Sequence, residues 1–472
     1  MDRPNILWIC TDQQRGDTIA CMGNPHIRTP HLDRLAAQGV AFSHAFAQNP
    51  VCTPSRASFL TGRYPRTTRA RQNGQNIPED EVLVTRMLAD AGYDCGLAGK
   101  LHVCAAQGRV EHRIDDGYRV FHWSHHPAPD WPENAYSQWL EAKGHSWKDL
   151  YRPRGHAFPG VPAELHQTTW CAEKAIEFMT AERDGPWLFS INCFDPHHPF
   201  DPPQEYLDRY DPDALPDPKY QPGELDDKPV FQRIDHDGAY GGRGMAFGKL
   251  SPRQRREVVA AYYAMCELID DQVGRLMQAL EDTGQRENTL VIFQSDHGEM
   301  LGDHGIFLKG PHMYDCAVRV PLIISWPTRF GRGLVSDALV ELVDLAPMLL
   351  DAAGLETPER MQGRSLLGIC DGSANPHEHK DAVYAEYYNA MPFHNWHRPR
   401  PYVTMVRTRT HKLAVTHGLG TGELYDLEAD PGEVHNLWDA PGHKDVKIEL
   451  LTRLADAAAF TADPIPPRIA DW

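Results

Sequence analysis

No apolar run in the 472-residue chain approaches the ~20 residues that a membrane-spanning helix needs. The first run, ILWIC at 6–10, gives way at once to Thr11 and Asp12. It lacks the basic start, longer apolar stretch and small-residue cleavage site of a secretion signal, so a cytoplasmic location is expected. Positive charge is also short. There are 47 Lys and Arg against 65 Asp and Glu, a formal net charge of -18. That balance excludes nucleic acid and anionic membrane surfaces as main partners. An anionic substrate would then need a local positive pocket. The ten cysteines follow no framework spacing, which predicts reduced thiols in the core. Internal repeats and low-complexity tracts are absent.

The composition present is that of a large globular protein, 41% hydrophobic and 24% charged. Short apolar runs alternate with helical patterns. NILWIC precedes TPHLDRLAAQG, a helix with Thr29 as cap, Pro30 inside its start and Gly39 at its end. Further runs are DCGLAGK, PWLFSINCF, NTLVIFQSDHG and VPLIISWP, with helical segments such as TTWCAEKAIEFMTAE and 255–284 between them. This predicts an α/β domain, residues 1–375, with a large, mostly parallel sheet flanked by helices. From about 376 the texture changes to DAVYAEYY, YVTMVRTR, HKLAVTHG and GELYDLE, then a helix over 443–460. A smaller α+β C-terminal domain with an antiparallel sheet, residues 376–472, is the expectation. Residues 105–165, rich in His, Trp, Pro and Gly, and 200–250, rich in Pro, Asp and Gly, read as rims or lids.

One stretch, NPVCTPSRASFLTGRY at 49–64, raises a chemical question. Thr53 suits an N-cap and Pro54 a first helical position, with Gly62 as the stop. Cys52 would then sit just outside a helix N-terminus, where an anion is favoured and a thiol tends toward thiolate. A lone cysteine is more often plain core. The Pro, Arg and helix-start context shift those odds.

Polar residues recur after the strand-like runs, where open α/β sheets build their sites. Asp12 and Gln13 follow ILWIC; Asp296 and His297 follow LVIFQS. Oxygen ligands with one imidazole suit a divalent cation. Lys100 and His102 lie two apart in GLAGKLH, His197 and His198 in FDPHHPF, and Lys309 in GIFLKGPHMYD. Singly, a strand-end Asp is usually a cap or turn residue and such a Lys a surface residue. Two acidic strand ends in one chain weaken that reading.

Together these residues resemble the formylglycine-dependent sulfatases of the alkaline phosphatase superfamily. Their motif, Cys, any residue, Pro, Ser, Arg, then Thr-Gly-Arg, is matched by Cys52, Pro54, Ser55, Arg56, Thr61, Gly62 and Arg63. G-K-x-H at 99–102, the segment 196–199, D-H-G at 296–298 and Lys309 follow in the family's order. The resemblance implies an alkaline-phosphatase-like fold. It implies that a separate formylglycine-generating enzyme oxidises Cys52 to an aldehyde. In the hydrated aldehyde, one metal-bound oxygen attacks sulfur and displaces the alcohol; the other then loses its proton as the aldehyde re-forms and sulfate leaves. It implies metal ligation by Asp12, Asp296, His297 and the modified Cys52, with Gln13 at a position that is Asp in many sulfatases. Arg56 and Lys100 would steady the charge, His102 would be the base of the release step, and His197 and Lys309 would contact sulfate or the leaving oxygen.

The same metal set also resembles the phosphonate monoester hydrolases and choline-sulfatase-like members. Asn73, in ARQNG, falls where the phosphonate hydrolases carry an active-site Asn. Those enzymes lack the Lys and His of G-K-x-H, so a small sulfate monoester (aryl, alkyl or sugar) ranks first as substrate. A phosphonate monoester or phosphodiester comes second. An unmodified, non-catalytic anion binder is the third reading. The family suggests calcium, and its phosphonate hydrolase branch manganese. NAMPFHNWHRPRPY at 389–402 is a candidate leaving-group contact or a packed domain junction. The tail DPIPPRIADW is a candidate docking segment for a second copy.

Overall fold

The computed structural model describes residues 3–106, 109–126, 131, 133–391 and 400–463. Most of 389–402 and of the Pro-rich tail lies outside these residues. An eight-stranded sheet organises the chain. Its order is Leu334–Ser336, Val40–Phe42, Leu322–Ser325, Thr289–Ser295, Asn5–Thr11, Trp187–Asn192, Asp94–Gly99 and Val120–Trp123. Leu322–Ser325 runs antiparallel to both of its neighbours; every other pairing is parallel.

The central strands are apolar throughout because both faces are covered. Side chains alternate across a strand. Ile6, Trp8 and Cys10 enter the core beneath the helices Cys52–Thr61, Val84–Asp90 and Leu345–Ala352. Leu7 and Ile9 enter the opposite core, under Pro30–Ala37, Gln167–Met179 and Pro252–Asp282. The last of these helices starts with a Ser251–Gln254 capping box and Pro252 at its first position.

VAFSHAFA, expected to be extended, feeds two sheets: Val40–Phe42 joins the large one, and Ala45–Phe46 a three-stranded one with Arg319–Val320 and Val340–Glu341. Residues 105–165 are more than a rim, since Val120–Trp123 closes the large sheet as an edge strand. The four C-terminal strands Val383–Tyr388, Tyr402–Arg407, His411–Thr416 and Thr421–Asp426 form an antiparallel meander. Leu450 and Leu454 of helix Lys444–Phe460 pack on one face of it; Phe46, Val51 and Met313 pack with Val383 and Ala385. Among the described residues no helix is long and apolar enough to cross a membrane.

Candidate active site

The site lies beyond the carboxyl ends of the central parallel strands. Thr11 and Ser295 are register partners, so Asp12 and Asp296 leave adjacent strands side by side. Asp296 Oδ1 accepts the N–H groups of Gln13 (3.0 Å) and His297 (2.9 Å). His297 Nδ1 donates to the Gly298 carbonyl at 2.8 Å. That bond fixes the ring and turns Nε2 toward Cys52 Sγ at 3.2 Å and Lys309 Nζ at 3.3 Å.

Helix Cys52–Thr61 differs from expectation at its start. Val51, extended at φ -136°, is the N-cap, and Ser55 N–H bonds to Val51 O at 3.2 Å. Cys52 is therefore the first helical residue, and Thr53 is inside the helix. The first four N–H groups of a helix have no internal acceptor, so Pro54 loses nothing at the third position. The orphan Thr53 N–H is accepted from outside by Asn73 Oδ1 at 3.0 Å. Gly62 ends the helix as expected, at φ 69° with its N–H on Ser58 O.

Cys52 Sγ sits 3.2 Å from His297 Nε2, 3.6 Å from Asp12 Oδ1 and 3.0 Å from Lys309 Nζ. Burial and Asp12 push its thiol up; Lys100, Lys309 and His297 outweigh them and bring it to about 5. The expected thiolate character thus comes largely from cations distant in sequence. Arg56 Nε donates to Asp296 Oδ2 at 2.8 Å, and its Nη1 to Lys100 O at 2.6 Å and Asn192 Oδ1 at 3.3 Å. Lys100 Nζ donates to Asp12 Oδ2. Burial opposes ionisation of Asp12, but Lys100, with Lys309 and Arg56, holds its carboxyl well below the usual range. Three cations facing two carboxylates give the acidic protein its local positive pocket.

The donor set fits a divalent cation. One ligand atom each from Asp12, Cys52, Asp296 and His297 lie within 4.8 Å of one another, all buried. Gln13 adds to the fit. Its Nε2 donates to Glu299 Oε2, while its buried Oε1 has no hydrogen-bond partner among the described residues. A buried carbonyl oxygen without a partner is a ligand that suits a hard cation.

His102 stands at φ 57° with its ring edge-on to His125, centroids 4.4 Å apart. His197 donates Nδ1–H to the His198 carbonyl at 2.6 Å and stacks between Phe194 and His198. Asn73 is tied to the start of the Cys52 helix. Its Oδ1 caps the Cys52 helix, its Nδ2 faces Met391 Sδ at 3.8 Å, and its N–H bonds to Ala390 O. Sequence reasoning passed over Glu299, although it follows two residues after His297 in SDHGEM. It also passed over His125 as an individual residue, in a His- and Trp-rich segment read as a rim or lid. Glu111 carries no local signal at all.

The comparisons with known proteins agree with this geometry. The family model described as Sulfatase matches residues 4–355, and that described as N-sulphoglucosamine sulphohydrolase, C-terminal, matches 302–459. An arylsulfatase of Clostridium perfringens is 30% identical, over 96% of this chain and 93% of its own. The uncharacterized sulfatase YidJ of Escherichia coli is 30% identical, over 98% of this chain and 89% of its own. The phosphonate monoester hydrolase of Agrobacterium radiobacter superposes with a TM-score of 0.85 at 26% identity, covering 99% of this chain and 98% of its own. The fold is that of the alkaline-phosphatase-like enzymes, and the chain belongs to the sulfatase family as a sulfuric ester hydrolase.

Proposed function

We propose that the chain hydrolyses a small sulfate monoester, with Cys52, converted to formylglycine, as the nucleophile. The observation that carries this is the convergence of Lys100 and Lys309 on the Cys52 end of the Asp12, Asp296 and His297 group. Hydrated formylglycine supplies a hydroxyl nucleophile and a second hydroxyl whose deprotonation expels sulfate. A divalent cation held by Asp12, Gln13, Asp296, His297 and the modified residue supplies Lewis acidity. Calcium matches the oxygen-rich set, and manganese is the alternative. Activity regained on reloading stripped enzyme with each ion distinguishes the two.

The chain's own residues set the charge and the protons. Arg56 fixes Asp296, and Lys100 fixes Asp12. Both place positive charge where the transferring group gathers negative charge. Burial, with Lys100 and Arg56, holds the His102 imidazole well below its ordinary pKa. It is neutral at pH 7 and able to accept the proton of the release step. Burial and Lys309 likewise keep His197 neutral. Its Nδ1–H is committed to the His198 carbonyl, so Nε2 is an acceptor. Lys309 is then the donor to the leaving oxygen.

Cys52 is 1% exposed, so the maturing enzyme must reach this segment before the chain folds. Ten unpaired cysteines support a reducing, cytoplasmic setting. A second reading, a phosphonate monoester or phosphodiester hydrolase, is favoured by the TM-score of 0.85 to the Agrobacterium enzyme. The test is kcat/KM for an aryl sulfate and an aryl phosphonate monoester with one leaving group. Preference for sulfate supports the first reading; preference for phosphonate supports the second.

A further inference from the structure

Glu111 lies outside the motifs and is 3% exposed. Its Oε1 accepts the His102 N–H at 2.7 Å and the Trp123 Nε1–H at 2.8 Å. Its Oε2 accepts the N–H groups of Val103 at 3.0 Å and Cys104 at 2.9 Å. Four donors fill the acceptor sites of one carboxylate. Three successive backbone N–H groups around one anion form a nest, an arrangement that elsewhere cradles phosphate. Here the anion is the chain's own side chain.

From this geometry we propose that Glu111 is a positioning residue that holds His102 in its working orientation. His102 has φ 57°, a conformation that a residue with a Cβ adopts only when its surroundings impose it. The charge-assisted bonds to Glu111 supply that constraint. The His102 ring has little else to aim it. Its buried Nδ1 has no hydrogen-bond partner among the described residues, and its edge rests on His125. The Trp123 indole, also tied to Glu111, lies 6.3 Å from the His125 ring. One carboxylate thus fixes the His102 backbone and anchors the ring wall behind it.

The proposal rests on His102 being the proton acceptor of the release step. The test compares full-length matured enzyme with Glu111→Gln, His102→Ala and the double variant on an aryl sulfate. Gln keeps the size but turns one oxygen into a donor facing two N–H groups. Glu111→Gln is expected to lower kcat by about 10–100-fold through misplacement, with KM falling in parallel, so that kcat/KM stays within about twofold of wild type, and metal content unchanged. Both single variants should show a burst of released alcohol before a slow steady state. The double variant should be no slower than His102→Ala, because the clamp acts through that ring.

Wild-type kcat in Glu111→Gln, or multiplicative losses in the double variant, would overturn the role of Glu111. Wild-type kcat in His102→Ala would instead remove the base reading, and this proposal with it. Where the Gln variant does not fold, Glu111→Asp, which keeps the charge at shorter reach, must show the same non-additivity with His102→Ala. Simple additivity there also refutes the proposal.

Discussion

Asp12 and Asp296 stand side by side at the ends of two parallel strands, and Arg56 joins them: it donates to Asp296 Oδ2 at 2.8 Å and reaches Asp12 Oδ2 at 3.5 Å, where Lys100 also donates. Both carboxylates are wholly buried. Their proximity is imposed by strand register, and burial without these cations would be prohibitive.

Removing one carboxylate charge therefore has two consequences. Asp296→Asn should drop bound metal well below one equivalent by elemental analysis. It should also lower stability by about 3 kcal/mol in a denaturant titration, because Arg56 loses the nearer of its two buried carboxylates. Full metal content would refute the ligand assignment.

Cys52→Ala should cut kcat/KM by at least about 10³-fold, as loss of a nucleophile does. The helix should survive, since Ala suits a first-turn position and the cap lies elsewhere. Circular dichroism checks the fold. Residual activity near wild type would end the nucleophile assignment.

Lys100→Ala should cost about 10²–10³-fold in kcat/KM for the aryl sulfate, the scale seen when a charge-stabilising donor is removed. Asp12 also loses its ion-pair partner, so metal content must be measured alongside. Unaltered kinetics would remove the main reason for ranking sulfate above phosphonate.

Asn73→Ala discriminates between two roles. As a cap on Thr53 N–H it should cost about 1 kcal/mol of stability and reduce turnover of sulfate and phosphonate by the same few-fold factor. A loss confined to the phosphonate substrate would make Asn73 a substrate contact instead.

Much of this protein was legible in the sequence by itself. Apolar runs buried on both faces are a local property, so the central strands and the polar residues beyond them could be placed without coordinates. The Cys52 motif is also local, and it named Arg56 along with the cysteine. The edge strand Val120–Trp123 was hidden, because only Trp123 in it is fully buried and a His interrupts its apolar pattern.

Pairing was decided by tertiary structure. Strand order brings Lys100 to Asp12 and Arg56 to Asp296. Asn73 supplies the helix acceptor for which Thr53 was expected. Glu111 gathers three backbone N–H groups, and Glu299 holds Gln13 by its amide nitrogen. None of these follows from periodicity. Each is a contact between segments that meet only after the sheet forms, where burial makes an unpaired charge or N–H group too costly to leave.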